Sequence, residues 1–298
     1  MIRKKRMSGK SGIWRRAVGL YLFLCPFVFL CAADPQESGG FRVELDKSGK
    51  WKSILFRDRV LLRNFVMTGN CIHPSGKGFV RLESIREKSV VSREMRNGRL
   101  HLVVEAPLGS EAIPDAAQSR MEVEFDRETI TVSARVETRK TLSTRYRLFF
   151  CRGNLEMALI SGRGMLTIGS DGKRILQLIP EHEAIRKNCA GAKLAFSLNS
   201  EETLLFESLS NSMISLQDAR IWGGRVGTVE MAHVPQYSST PIAYPPGSVF
   251  EWRFRIRLMT RRDDPLLRDL GISARGKAGE AGSEISKNTG LFRKKFAF

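Results

Sequence analysis

Histidine, tyrosine and tryptophan occur only four times each in this chain, and its five cysteines include no Cys-x-x-Cys pair. That absence removes a thioredoxin-like redox site and a cysteine-based zinc site. There is no His-Glu-x-x-His, the arrangement that sets two zinc ligands and a base on one helix face, and no Gly-x-Ser-x-Gly elbow, phosphate loop or dinucleotide fingerprint. No metal and no cofactor are therefore expected. Long stripes of helical period are also missing, and with them the crossover helices that a parallel α/β sheet requires. No internal repeat is regular enough for a propeller.

Charge is plentiful but uneven: 49 Lys and Arg against 31 Asp and Glu give a formal +18. Seven of the basic residues precede "AVGLYLFLCPFVFLCAA", an apolar run that ends in small residues before Asp34. A basic opening, an apolar middle and a small-residue exit form a secretory signal, so residues 1–33 are expected to be cleaved from an exported protein, secreted or periplasmic. The alternative is an uncleaved membrane anchor, since the run sits at the lower limit for spanning a bilayer. Removing it takes the +18 down by seven, to +11. The remaining charge suits anionic polysaccharide or lipid head groups, and export argues against nucleic acid. Cys71, Cys151 and Cys189 remain, and an oxidising compartment permits one disulfide among them, Cys151 with Cys189 being one pairing.

From Phe41 to Met259 the sequence reads as short strands divided by turns. Asn97-Gly98 between "SVVSREMR" and "RLHLVVEA" is a hairpin signal, and Ile130, Val132, Ala134 and Val136 keep a period of two. "EMALI" reads as another strand, and "PEHEAIRKN" from Pro180 to Asn188 is the best helix candidate, with proline at its first turn. Many strands with frequent turns predict an all-β fold, a large antiparallel β-sandwich forming a single domain over residues 34–260. Residues 261–298, rich in charge, Gly and Ser, are expected to form a flexible basic tail.

The last strand, "FEWRFRIRLM", would place Trp252, Phe254, Ile256 and Leu258 on one face and Glu251, Arg253, Arg255 and Arg257 on the other. Such a row of arginines is either the solvated side of a sheet, or pairs with acidic strands such as "RMEVEF", or follows the carboxylates of an acidic polysaccharide. The segment "RIWGGRVGTVEMAHVPQYSSTPIAYPPG" offers a second candidate surface. Trp222, Tyr237 and Tyr244 can stack on sugar rings, with Arg225, Glu230 and His233 as polar neighbours, unless Trp222 is core. His101 alternates outward from Leu100 and Leu102, and His182 lies between Glu181 and Glu183, where it could serve acid/base chemistry.

Taken together, "FRVELDKSGKWKSILFRDRVLLRNF", the run of strands and "YPPGSVFEWRFRIRL" resemble the galactose-mutarotase-like supersandwich, a fold of sugar epimerases, polysaccharide lyases and accessory carbohydrate domains. The resemblance implies two histidines and a carboxylate for epimerase chemistry; His101 and His182, with Glu230 as base, are the nearest counterparts, and none carries the surrounding motif. A lyase would want a Tyr or His base and an Arg to neutralise a uronate. The expectation is an exported protein binding carbohydrate, acidic polysaccharide included, or another envelope component. Its alternatives are a carbohydrate-active enzyme and a structural or assembly protein of the envelope whose basic face meets a membrane surface or a protein.

Overall fold

The computed structural model describes residues 36–38, 40–46, 51–85, 89–185, 189–210, 212–233 and 238–260. The expected signal, the expected tail and Tyr237 lie outside the described residues. Among the described residues the chain forms twenty strands. They begin with β1 (Gln36–Ser38), β2 (Phe41–Leu45), β3 (Trp51–Phe56), β4 (Arg59–Ile72), β5 (Phe79–Ser84), β6 (Val90–Arg96) and β7 (Arg99–Gly109). Next come β8 (Ala117–Asp126), β9 (Thr129–Thr138), β10 (Leu142–Thr144), β11 (Phe149–Glu156), β12 (Gly164–Ile168), β13 (Arg174–Leu178) and β14 (Cys189–Gly191). The series closes with β15 (Lys193–Ser197), β16 (Glu202–Ser210), β17 (Ser212–Asp218), β18 (Val226–His233), β19 (Ile242–Tyr244) and β20 (Val249–Thr260).

All pairings are antiparallel. The first sheet runs β1-β2-β3-β4-β11-β18-β17-β14. The second runs β6-β7-β8-β9-β20-β16-β15-β12-β13. β5 joins them, pairing first with β4 and then with β7, and β10 with β19 makes a separate ribbon.

The two-residue rhythm fixes which side of each strand is buried. On β20, Phe250, Trp252, Phe254, Ile256 and Leu258 are buried while Glu251 and Arg253 are exposed, so the row of arginines faces outward. Across the layers Phe65 meets Phe254 at 6.2 Å, Trp51 stacks on Phe125 at 6.2 Å and Phe149 sets its edge on Phe250 at 5.2 Å between ring centroids. Burial of each such ring is worth roughly 1.5–3 kcal/mol, so the sandwich is held by its interior. Asn97 and Gly98 both adopt positive φ, 52° and 74°, which matches the twist of a two-residue hairpin between β6 and β7.

Three local expectations differ from what the chain does. Within "EMALI", Met157–Ile160 makes one turn of helix instead of a strand, burying Met157 and Ile160. The described part of the Pro180–Asn188 segment is not helical, because tertiary partners take its backbone groups. Arg220 Nη1 donates to the carbonyls of Pro180 and Glu181, at 2.8 and 3.0 Å, and the Ile185 amide donates to Asp218 Oδ2 at 2.9 Å. Cys71, Cys151 and Cys189 are buried. Cys151 and Cys189 sit on β11 and β14, three strand spacings apart, or about 14 Å, beyond the roughly 7 Å that a disulfide spans. Burial alone pushes the Cys71 thiol up to about 11 and raises Cys151 as well, so these are packing residues.

Candidate functional site

The outward face of the first sheet carries a group of charges that the core does not require. Register places Val66, Arg152, Glu230 and Ser215 side by side across β4, β11, β18 and β17. Their neighbours in sequence, Met67, Cys151, Met231 and Ile214, are core residues, so the four project away from it. Glu230 is nonetheless only 8% exposed. Arg147, entering from the segment between β10 and β11, sets Nη1 2.6 Å from Glu230 Oε2 and donates to Ser215 Oγ at 2.9 Å. Among the described residues nothing donates to Glu230 Oε1.

Arg152 completes the group. Among the described residues its only carboxylate within ion-pair distance is Glu83 of β5, at 3.9 Å. Burial pushes its guanidinium below the ordinary value and Arg81 pushes the same way, against the pull of Glu83 and Glu230. Such a cation is partly desolvated and incompletely neutralised. A carboxylate that accepts, two guanidinium groups that donate and a hydroxyl that does both therefore lie together on one face.

The other sequence-derived candidates scatter around this centre. His233 is three residues from Glu230 but has the opposite parity, and it sets its ring edge on Phe250, 5.9 Å between centroids. Tyr244 packs on the same Phe250 at 5.0 Å. Trp222 and Arg225 lie beyond the opposite end of β18, about 23 Å from His233 at ~3.3 Å per residue. Trp222 is not core: it ends a short 3₁₀ turn, Ala219–Trp222, and is 72% exposed. The structure thus divides one sequence segment into two separate surfaces.

The two histidines are also far from Glu230. His101 belongs to the outward face of the second sheet, buried between Glu94 and Glu122, with Nδ1 3.5 Å from one carboxylate and Nε2 4.0 Å from the other. It is separated from Glu230 by both layers, whose centres pack about 10 Å apart. His182 is 94% exposed, with Glu181 at 3.8 Å. No histidine among the described residues reaches Glu230, so the structure does not assemble His101, His182 and Glu230 into an acid/base set. Arg147, Arg152 and Ser215 were not singled out from sequence. The only available signal was the alternation of "RYRLFFCRGN", which fixes a facing but no partner.

The row of arginines meets fewer acids than the sequence offers. Glu122 and Glu124 lie on β8, with β9 between them and β20. Two strand spacings separate them from the arginines, about 9.5 Å, where a pair of unit charges in water gains only about 0.4 kcal/mol before salt screening. Glu124 instead pairs with Arg99 at 2.7 Å, Glu122 with Arg120 at 2.7 Å and Glu251 with Arg135. Arg255 has Glu207 at 3.7 Å. Neither Arg253 nor Arg257 has an ion-pair partner among the described residues.

The sequence matches no protein-family model, and no curated protein resembles it in sequence. Solved structures do resemble the fold. The Slr1438 protein of Synechocystis sp. PCC 6803 superposes with a TM-score of 0.51 at 10% identity, over 76% of this chain and 97% of its own. A galactose mutarotase-like protein from Clostridium acetobutylicum does so with a TM-score of 0.50 at 8% identity, over 76% of this chain and 94% of its own. The fold of this chain is thus that of the galactose-mutarotase-like β-sandwich.

Proposed function

We propose that this chain is an exported protein that binds carbohydrate on the outward face of its first sheet, around Glu230, Arg147, Arg152 and Ser215. The observation that carries this reading is the buried Glu230 carboxylate. Water is available to an outward residue of a sandwich at no cost, whereas desolvating a carboxylate there costs several kcal/mol unless charged partners offset it. Stability does not call for such a group, while recognition of hydroxyls does: Oε1 accepts from a sugar hydroxyl and Arg152 bonds a neighbouring oxygen, while the buried Ser215 accepts from Arg147 and holds it in place. The fold-level likeness to a galactose mutarotase-like protein points the same way. Binding is favoured over turnover because no histidine stands by to serve as the second acid/base group.

Screening the folded protein against neutral and acidic glycans tests the reading. Glu230→Gln keeps the shape and removes the charge, so binding is expected to weaken about ten- to hundredfold, the value of a charge-assisted hydrogen bond, with the circular dichroism spectrum unchanged. Equal binding by the variant, or no glycan held by the folded protein, would sink it. Export is read separately: N-terminal sequencing of the protein recovered from outside the cytoplasm is expected to begin at Asp34. Recovery in the membrane fraction with residues 1–33 intact would favour the anchored form instead.

A further inference from the structure

We propose that Arg253, Arg255 and Arg257 form a second binding surface, a linear track for a carboxylated acidic polysaccharide, on the face of the sandwich opposite Glu230. β20 presents the three side chains outward at every second residue, about 6.7 Å apart. It is held in the middle of its sheet by β9 on one side and β16 on the other, so the track is rigid along its length.

The track is short of counter-charge. Glu207, the one carboxylate near Arg255 among the described residues, is already engaged by Lys193 at 2.5 Å. The acidic column of β8 is occupied with Arg99 and Arg120 and stands a strand too far away. Between that column and the arginines runs a column of hydroxyls: Thr129 opposite Arg257, Thr131 opposite Arg255 and Ser133 opposite Arg253. Guanidinium groups match carboxylates with two parallel hydrogen bonds, and hydroxyls donate to and accept from the sugar oxygens between them. On the far side of β9 the guanidinium groups of Arg99 and Arg120 are already paired with carboxylates, so the guanidinium charge left without a partner lies on the strip above β9 and β20. No large apolar side chain is exposed between Arg253 and Arg257, so the strip lacks the wedge with which proteins enter a bilayer.

Polygalacturonate, dextran sulfate, neutral dextran and vesicles of anionic lipid are the probes, each titrated into the full chain at low and physiological salt. Polygalacturonate is expected to bind, more weakly as salt rises, and a neutral glycan bound around Glu230 is expected not to displace it. The double variant Arg253→Gln, Arg257→Gln should lose about tenfold or more for each arginine, with an unchanged melting temperature because both side chains lie on the surface. Arg253→Lys with Arg257→Lys keeps the charge and loses the fork, so an intermediate affinity is expected. Undiminished polymer binding by the glutamine variant would overturn the proposal. So would arginine-dependent binding to vesicles without any to polymers, or to dextran sulfate alone, the last showing that charge density rather than carboxylate recognition drives binding.

Discussion

Replacing Phe254 with alanine is expected to lower the unfolding free energy by about 3–5 kcal/mol, a large share of what holds a domain together. Phe254 is fully buried on β20, opposite Val132 of β9 and Ser208 of β16. Its ring meets Phe65 of the other sheet. Truncation therefore opens a cavity where the layers touch, and flanking strands hydrogen-bonded on both sides cannot close it without breaking their ladders. Arg253→Ala, one residue away on the other side of the same strand, is expected to cost within about 0.5 kcal/mol. Urea denaturation of the pair is a direct test of the two-residue rhythm. A cost below 1 kcal/mol for the phenylalanine, or equal costs for both, would contradict the inward facing assigned to it.

That contrast also marks how far the sequence could be read. The facings of β8, β9 and β20 were legible because extended chain repeats every two residues and the side chains keep to it. So was the turn at Asn97-Gly98, where positive φ at two consecutive positions calls for those residues. Register was not legible. Nothing in "RMEVEF" and "RFRIRL" says that β9 lies between them, and that single intervening strand turns a plausible set of ion pairs into an acidic column and a row of arginines that do not meet. Arg147 and Glu230 are 83 positions apart, and only the order β11-β18-β17 brings them to one face. Sequence left Trp222 open between a stacking platform and core, whereas the short turn that carries it lies at the end of a strand and buries none of its four residues.

A different kind of illegibility governs the loop after β13, and it yields the second large effect: Arg220→Ala is expected to cost about 3–5 kcal/mol at neutral pH, the range for removing one partner of a buried ion pair. Asp218 has no exposed side-chain surface. Arg220 donates to it from Nε at 3.0 Å and Nη2 at 2.7 Å while Nη1 holds the Pro180 and Glu181 carbonyls. Burial raises the Asp218 carboxyl, but hydrogen bonds from the Arg220 side chain and from the Ile185 and Arg220 amides outweigh it and hold it below the ordinary value. A depressed folded value means that this contribution to stability is fully present above the unfolded value, about 3.9, and is lost as pH falls through the folded one. Without the guanidinium, burial acts with less opposition, so Asp218 takes up its proton at a higher pH in the variant than in the parent. The difference in unfolding free energy should accordingly be widest near pH 7 and shrink toward about pH 3. A difference that stays constant with pH would place the damage in lost packing of the arginine stem, and repeating Arg220→Ala in an Asp218→Asn background separates the two: there the cost of the arginine change should be nearly insensitive to pH over that range. The same contacts explain why the described part of Pro180–Asn188 is not helical. The carbonyls and the amide that a first helical turn would pair with one another are each bonded to β17's end instead, a choice made by residues some forty positions downstream.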